Sequence, residues 1–339
     1  MSENSMQDLY HRSWEYAYMN LIADVLLNGE ERGDRTGTGT TSAFGRSLDI
    51  DLSAGFPAVT TKKLMLKGVT SELLWFIEGS GDERRLAEIL HGTRARTIEK
   101  QELVQGELVT NQKELNTIWT ANAEAPYWKP RAKFEGDLGQ VYGVQWRSWP
   151  SVDVIAYGSD SIEHQGGVTT HLGATIQVSS VDQLAQVIDT IKNKNNQNDR
   201  RMIISAWNVG QLHNMALPPC HMMMQFYVSK DRKLSCQMYQ RSCDLFLGSP
   251  FNIASYALLV SMIAHVTGCT PGRLVMCLGD VHVYQNHLDQ ALKQLARTPM
   301  NAPKLWLNPD VKNIDDFTME DIRLDGYESH GPIAAPMAV

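Results

Sequence analysis

The stretch GSPFNIASYALLVSMIAHVTG, residues 248–268, constrains this chain more than any other. It is almost wholly apolar, and a helix that is apolar all round must be covered all round. The sequence therefore predicts a buried central helix with other elements packed about it. Ser249 is placed to cap it, Pro250 suits its first turn and Gly268 ends it. No apolar run is read as approaching a membrane span.

The elements that would cover this helix can be read on either side of it. Residues 8–28 put Leu9, Trp14, Tyr18, Leu21, Ile22, Val25 and Leu26 on one helical face, with Asn28-Gly29 as the stop. TSAFGRSLDIDLS reads as a strand, and 64–78 as a helix with Glu72 inside an apolar run. A helix at 181–193 precedes strands at 201–207, 222–229 and 233–239. A strand near 273–279 and a helix near 284–297 follow. Two stretches break the pattern. Residues 80–115 turn polar and read as a surface excursion with short helical pieces. Residues 150–179 are irregular, with GGVTTHLGATIQV read as a hairpin. Strands and helices without regular alternation indicate an α+β fold. No repeat or clean linker divides it, so 1–339 is expected to be one catalytic domain with insertions at about 80–115 and 150–179.

With 339 residues, 43% of them hydrophobic, the chain can bury a sizeable core. Its formal charge of -7 argues against a general nucleic-acid binder, though a local arginine cluster can still hold a small anion. The first twenty residues lack a basic segment followed by an apolar one, so no secretory signal is read there. The five cysteines are odd in number and lack CxxC spacing. That argues against a disulfide framework or a zinc site, and a reducing cytoplasm is expected.

Chemistry concentrates in a few places. In MALPPCHMMMQFYV, Cys220 follows Pro218-Pro219, which fix the backbone ahead of it. Free cysteines are commonly buried and inert. Here, however, YQRSCD offers Arg241 on an adjacent predicted strand, and a nearby arginine favours the reactive thiolate. His221, the next residue, points the other way on a strand, which weighs against a protease dyad. Arg200-Arg201, Arg241 and Arg35, together with Ser242, would make a phosphate cradle if they converge. Asn252, one turn into the apolar helix, either satisfies a neighbouring backbone group or reads a planar ligand. Its amide could accept from a uracil ring N–H and donate to the 4-oxygen, whereas cytosine has the opposite polarity. Asp280, His282 and Tyr284 alternate along one strand face. With His287 they suggest a metal site only weakly, for want of a carboxylate at ligand spacing, and sugar contacts suit them better. Glu72 and Tyr142 are candidate proton-handling groups, and the apolar flanks of Glu72 imply a raised pKa.

These segments, with RTGTGT, FPAVTTKKL, GDLGQVYGVQWR, GDVHVYQNHLDQ and the terminal APMAV, resemble the thymidylate synthase family over roughly 8–79, 116–149 and 180–339. The resemblance implies a dimer through stacked sheets and a Cys220 nucleophile that adds to carbon 6 of dUMP. Carbon 5 then takes a one-carbon unit from methylenetetrahydrofolate, without a metal. It further implies that Arg241, Arg35, Ser242 and a partner's Arg200-Arg201 hold the phosphate, that Asn252 reads the uracil edge, and that His282 and Tyr284 hold the deoxyribose. Glu72, Tyr142, His221 and Gln240 would form the proton-transfer network. Glu72, Asp244, Trp119, Leu247, Gly248 and Phe251 would face the folate, with Val339 closing over it.

The chain departs from the family pattern where 80–115 lengthens the link before TIW, where Thr120 replaces the usual acid, and where SGDERR follows WFIEG. Two outcomes stay open under the resemblance. Hydride transfer gives dTMP and dihydrofolate; addition of water gives 5-hydroxymethyl-dUMP. Trp119 and the APMAV tail favour reduction, and Asn252 disfavours a cytidylate substrate. A non-catalytic nucleotide- or RNA-binding protein is the remote alternative. The setting expected for the enzyme is the cytoplasm, that of the host for a virus-encoded chain.

Overall fold

The computed structural model describes residues 13–34, 37–104, 107–156, 162–165, 168–171, 175–195 and 198–337. Its helices are α1 (Trp14–Asn28), α2 (Leu66–Ile77), α3 (Glu83–His91), α4 (Thr120–Ala123), α5 (Tyr142–Arg147), α6 (Gln183–Lys192), α7 (Gly248–Thr267) and α8 (Leu288–Leu295). Its first eight strands are β1 (Glu30–Arg32), β2 (Thr40–Asp51), β3 (Thr97–Val104), β4 (Glu107–Glu114), β5 (Trp149–Ala156), β6 (Ile162–Gln165), β7 (Val168–His171) and β8 (Thr175–Val181). Six more follow: β9 (Ile203–Ser205), β10 (His221–Val228), β11 (Lys233–Asp244), β12 (Thr270–Tyr284), β13 (Lys304–Leu307) and β14 (Ile322–Asp325).

The apolar stretch is α7, and it is central. It leaves β11, crosses the sheet and feeds β12, packing against both. Those two strands run parallel, while the other pairs of the six-stranded sheet β1-β2-β12-β11-β10-β9 are antiparallel. The fold is thus mixed α+β, as expected. By length and composition α7 could cross a membrane, which corrects the reading that no run approaches one. Most of its surface is buried inside the protein, so it is a core helix. Its Ser261 and Thr267 hydroxyls bond back to the Ala257 and Ile263 carbonyls, which leaves no unmet donor among apolar neighbours.

The cap of α7 also differs from expectation. Ser249 lies inside the first turn, buried, with its Oγ 2.9 Å from Cys243 Sγ. The N-cap position is Leu247, which offers no side-chain cap, and Asp244 Oδ1 accepts from the Phe246 and Leu247 N–H groups in the turn just ahead of the helix. Gly268 ends the helix in the left-handed region (φ 65). Gly29 ends α1 for another reason: its backbone is extended, and a side chain there would meet the Val25 carbonyl.

Period-two alternation turns Met224, Phe226, Leu234, Met238, Leu274 and Met276 inward against the helices. It leaves Phe44, Met223, Tyr227 and Tyr239 exposed, the last three on the sheet's other face by the same alternation. β11 and β12 run past the predicted ends, to Asp244 and Tyr284. The last residues of β11 are mostly polar, so hydrophobic alternation could not reveal them, whereas the alternation of Asp280, His282 and Tyr284 does continue along β12. The predicted helix at 284–297 is a 3-10 turn, Gln285–His287, followed by the shorter α8.

Both irregular stretches need correction. Residues 80–115 hold α3 and the hairpin β3–β4, and α3 buries Glu83, Arg84, Leu86 and Ala87 rather than lying on the surface. GGVTTHLGATIQV does not fold on itself: its two strands, β7 and β8, pair with β6 and β5. Leu9, proposed for the face of α1, lies outside the described residues.

One close approach fixes the site's wall. Phe76 of α2 stacks on Tyr142 of α5 at 4.8 Å, and a Cβ on Gly143 would sit 2.3 Å from the Phe76 carbonyl oxygen. Backbone cannot yield as a flexible side chain can. Gly143→Ala is therefore expected to destabilise the fold by about 2 kcal/mol or more, read as a lower urea midpoint. An unchanged midpoint would contradict this packing.

Candidate active site

The site forms where β10 begins, β11 and β12 end, and α7 starts. Register explains why these residues meet. His221 pairs with Gln240, Ser242 with Asp280, and Asp244 with His282. Asn252 and Tyr256, four apart, extend the group along one face of α7.

Cys220 is half-buried at the mouth of β10. Its backbone N–H donates to the Tyr142 hydroxyl (2.7 Å), and its carbonyl accepts from the Arg241 N–H (2.9 Å). The Arg241 guanidinium donates to the Pro219 and Pro218 carbonyls, both at 2.9 Å, which brings Nη2 to 3.9 Å from Cys220 Sγ. The double proline thus does two things: it stiffens the approach to the thiol and offers the carbonyls that aim the arginine. The Trp207 ring lies 5.5 Å from the guanidinium.

Behind the thiol lies an amide and imidazole group. Gln240 Nε2 donates to Asn252 Oδ1 (3.1 Å) and to the Ser242 carbonyl (2.9 Å). His221 packs between Tyr142 and Tyr256, at 5.4 and 5.3 Å between rings. Burial lowers its pKa to about 4, and a hydrogen bond with Asn252 offsets this only in part, so the imidazole is neutral at pH 7. His221 Nδ1 and Gln240 Oε1 are buried without a hydrogen-bond partner among the described residues, the kind of group a polar ring could satisfy.

The opposite wall carries Glu72. Its carboxylate accepts from Trp119 Nε1 (2.7 Å), and Trp119 packs edge-on to Tyr142 at 5.7 Å. Burial raises the Glu72 pKa to about 7, outweighing the opposing indole bond. The inference from apolar flanks therefore holds: this carboxyl can give or take a proton near neutrality.

On β12, His282 Nδ1 meets Asp280 Oδ1 at 2.9 Å, and the Tyr284 ring stands edge-on at 5.2 Å. Arg32 reaches the other Asp280 oxygen at 3.3 Å. Asp244, Leu247, Gly248 and Phe251 are part-exposed around the first turn of α7, which places an acid beside apolar side chains. That combination fits a planar heterocycle with a polar edge.

Arg200 and Arg201 do not join this group within the chain. They are exposed at the far end of β9, and Arg201 pairs with Asp199. Strand register sets them at least seven residues, about 23 Å, from Cys220. Arg35 and Val339 lie outside the described residues. No three of His, Cys, Asp and Glu come together as a metal would require among the described residues.

Sequence reasoning missed Tyr256, Trp207 and Lys62. Tyr256 was detectable at helical spacing from Asn252. Lys62 was hidden in a loop: its ammonium bonds the Phe246 carbonyl and sits 3.8 Å over the Phe246 ring. Burial depresses its pKa to about 8.

Compared with known families, residues 16–339 match the one described as thymidylate synthase.

Proposed function

We infer the reaction from one premise: the chain belongs to the thymidylate synthase family. That family transfers a one-carbon unit to dUMP with methylenetetrahydrofolate as cosubstrate, and its fold agrees with the mixed sheet and surrounding helices seen here. Our proposal is that this chain performs reductive methylation, giving dTMP and dihydrofolate, through a covalent bond from Cys220. One observation carries it: a thiol on a rigid Pro-Pro turn, 3.9 Å from an aimed guanidinium and backed by the Gln240–Asn252–His221 group.

In this reading the Cys220 thiolate, favoured by Arg241, adds to carbon 6 of the ring, and the electron pair moves through carbon 5 toward the 4-oxygen. Protonated Glu72 supplies a proton on the 4-oxygen side through the Tyr142 and His221 network. Carbon 5 is then the nucleophile toward the one-carbon unit, and its proton leaves to that network. When the product forms, the Cys220–carbon 6 bond breaks and the thiolate returns. Methylenetetrahydrofolate supplies the one-carbon unit and the hydride. Trp119, Leu247 and Phe251 cover its side of the cleft, and the Asp244 carboxylate meets its polar edge. Arg241 and Ser242 hold the phosphate with Arg35, and His282 and Tyr284 hold the sugar. Val339 closes the tail.

The exposed Met223, Tyr227 and Tyr239 support a dimer through the outer sheet face, in which Arg200 and Arg201 serve the partner's phosphate site. The whole chain, both inserted stretches included, then acts as one catalytic domain. The second reading, addition of water to give 5-hydroxymethyl-dUMP, shares every residue up to the last step. What distinguishes them is exclusion of water on the Trp119 side.

Asn252→Asp tests the uracil assignment. An acid reads the cytosine edge, so the ratio of dUMP to dCMP turnover is expected to fall about 100-fold. An unchanged ratio would count against Asn252 as the base reader.

A further inference from the structure

Trp119 reaches the nucleotide side through its indole bond to Glu72, and its own backbone is held by an unusual device. Its N–H donates to Thr117 Oγ1 at 3.1 Å, and that same hydroxyl donates to Glu83 Oε1 at 2.7 Å. Thr120 Oγ1 donates to the same oxygen at 2.6 Å and accepts from the Thr117 N–H at 2.8 Å. The Glu83 side chain is fully buried, a costly place for a charge unless it is densely bonded. It is: Arg84 donates to both oxygens, at 2.5 and 2.7 Å, and Arg96 approaches Oε2 at 3.3 Å. Burial works against ionisation, but the bonds from Arg84, Thr120 and Thr117 outweigh it and keep the carboxylate charged.

The two arginines bring in the inserted hairpin. Arg84 also donates to the carbonyls of Ala95 (3.2 Å) and Leu115 (3.4 Å), which flank β3 and β4. The Leu115 N–H closes the foot of the hairpin on the Arg96 carbonyl at 2.8 Å. Arg96 spreads its remaining donors to Glu124 and Glu135 at 2.7 and 2.9 Å. The hairpin foot and the α4 turn therefore share one buried carboxylate.

We propose that Glu83 is a positioning residue for the reaction: through the Thr117 and Thr120 hydroxyls it fixes the turn carrying Trp119, and so the Trp119–Glu72 contact, while anchoring the inserted 97–114 hairpin to that turn. The inference rests on the reading of Glu72 as a proton-handling group. It assigns the 80–115 stretch a part in the active site rather than a place on the surface. A turn bonded on three sides costs no rearrangement when the cleft fills, and misplacement by an ångström can cost orders of magnitude in rate.

The test compares Thr117→Val, Thr117→Ser and Glu83→Gln with the parent enzyme, all as the full chain. Thr117→Val removes the bridge without touching the arginines, so it reports even if Glu83→Gln does not fold. Its kcat is expected to fall about tenfold with the KM for dUMP within about twofold, and Thr117→Ser to restore kcat. The Trp119 bond lowers the Glu72 pKa, so the pH midpoint of kcat is expected to move up in Thr117→Val. Tyr142 and Tyr256 also face Glu72, and both stay neutral through this range because burial raises their pKa well above 10. A second readout needs no turnover: the pH titration of Trp119 fluorescence, taken as the difference from Trp119→Phe, should shift upward in the same variant. Unchanged kcat and midpoint in a folded Thr117→Val would overturn the proposal. So would a loss that Thr117→Ser does not restore. If the parent makes no product, the reaction proposed for the site fails while the fluorescence titration still decides the role of Glu83.

Discussion

Turnover of dUMP is expected to fall about 10^4-fold or more in Cys220→Ser, with the fold and nucleotide binding kept. The oxygen nucleophile differs from sulfur in the property the site exploits. A thiol gives up its proton far more readily than a hydroxyl, and a neighbouring guanidinium favours the anion further. The surroundings are built for the sulfur: Arg241 is tied down by two proline carbonyls, and Tyr142 holds the Cys220 N–H. The same variant offers a sharper measurement. With cofactor present, 5-fluoro-dUMP should add its mass to the parent protein at Cys220 and leave Cys220→Ser unlabelled. Labelling of both, or of neither, would remove Cys220 from the nucleophile's role. Labelling of neither would favour the remote alternative of a non-catalytic binding protein, and labelling of both would place the nucleophile on another residue.

Glu72→Gln should lower kcat by about 10^2- to 10^4-fold and flatten its pH profile. The carboxyl titrates near 7, and the proposed proton donor is its protonated form, so parent activity should fall as pH rises through about 7. Glutamine keeps the Trp119 contact but carries no titrating proton, and that limb should vanish. Stability must move with the opposite benefit. The folded-state pKa of Glu72 lies above its unfolded value of 4.5, so the neutral form's contribution is complete below 4.5 and is lost as pH rises through about 7. The difference between 7 and 4.5 corresponds to at most about 3 kcal/mol. Glu72→Gln should therefore gain stability over the parent at pH 8 and not at pH 4. A limb that survives in the variant, or equal stability differences at both pH values, would show that Glu72 is not the group that titrates.

Most of the residues that gather around Cys220 were legible because they come from regular elements with clear periodicity. Asn252 could be placed one turn into α7 because α7 is unmistakable, and His282 and Tyr284 share a face because strands alternate. What hydrophobic patterning could not give was the reach of β11, since Gln240, Arg241 and Ser242 are polar and read as a strand's end. The Glu83 group was invisible for a related reason. A buried charge surrounded by arginines looks, in sequence, like the solvated surface of a charged helix. The cap of α7 was misread because Ser249 has the right residue type two residues past the N-cap position, Leu247, while Asp244 holds the turn ahead of the helix. Arg200 and Arg201 were expected to join an anion site, yet nothing within one chain brings them to Cys220.

The most direct test of the account is the product itself. The protein is incubated with dUMP and methylenetetrahydrofolate, dihydrofolate is followed by absorbance, and the nucleotide is weighed by mass spectrometry. Reductive methylation requires a nucleotide heavier by one CH2 and an equal amount of dihydrofolate. A product heavier by CH2O, with no dihydrofolate formed, would contradict it and assign the enzyme to hydroxymethylation.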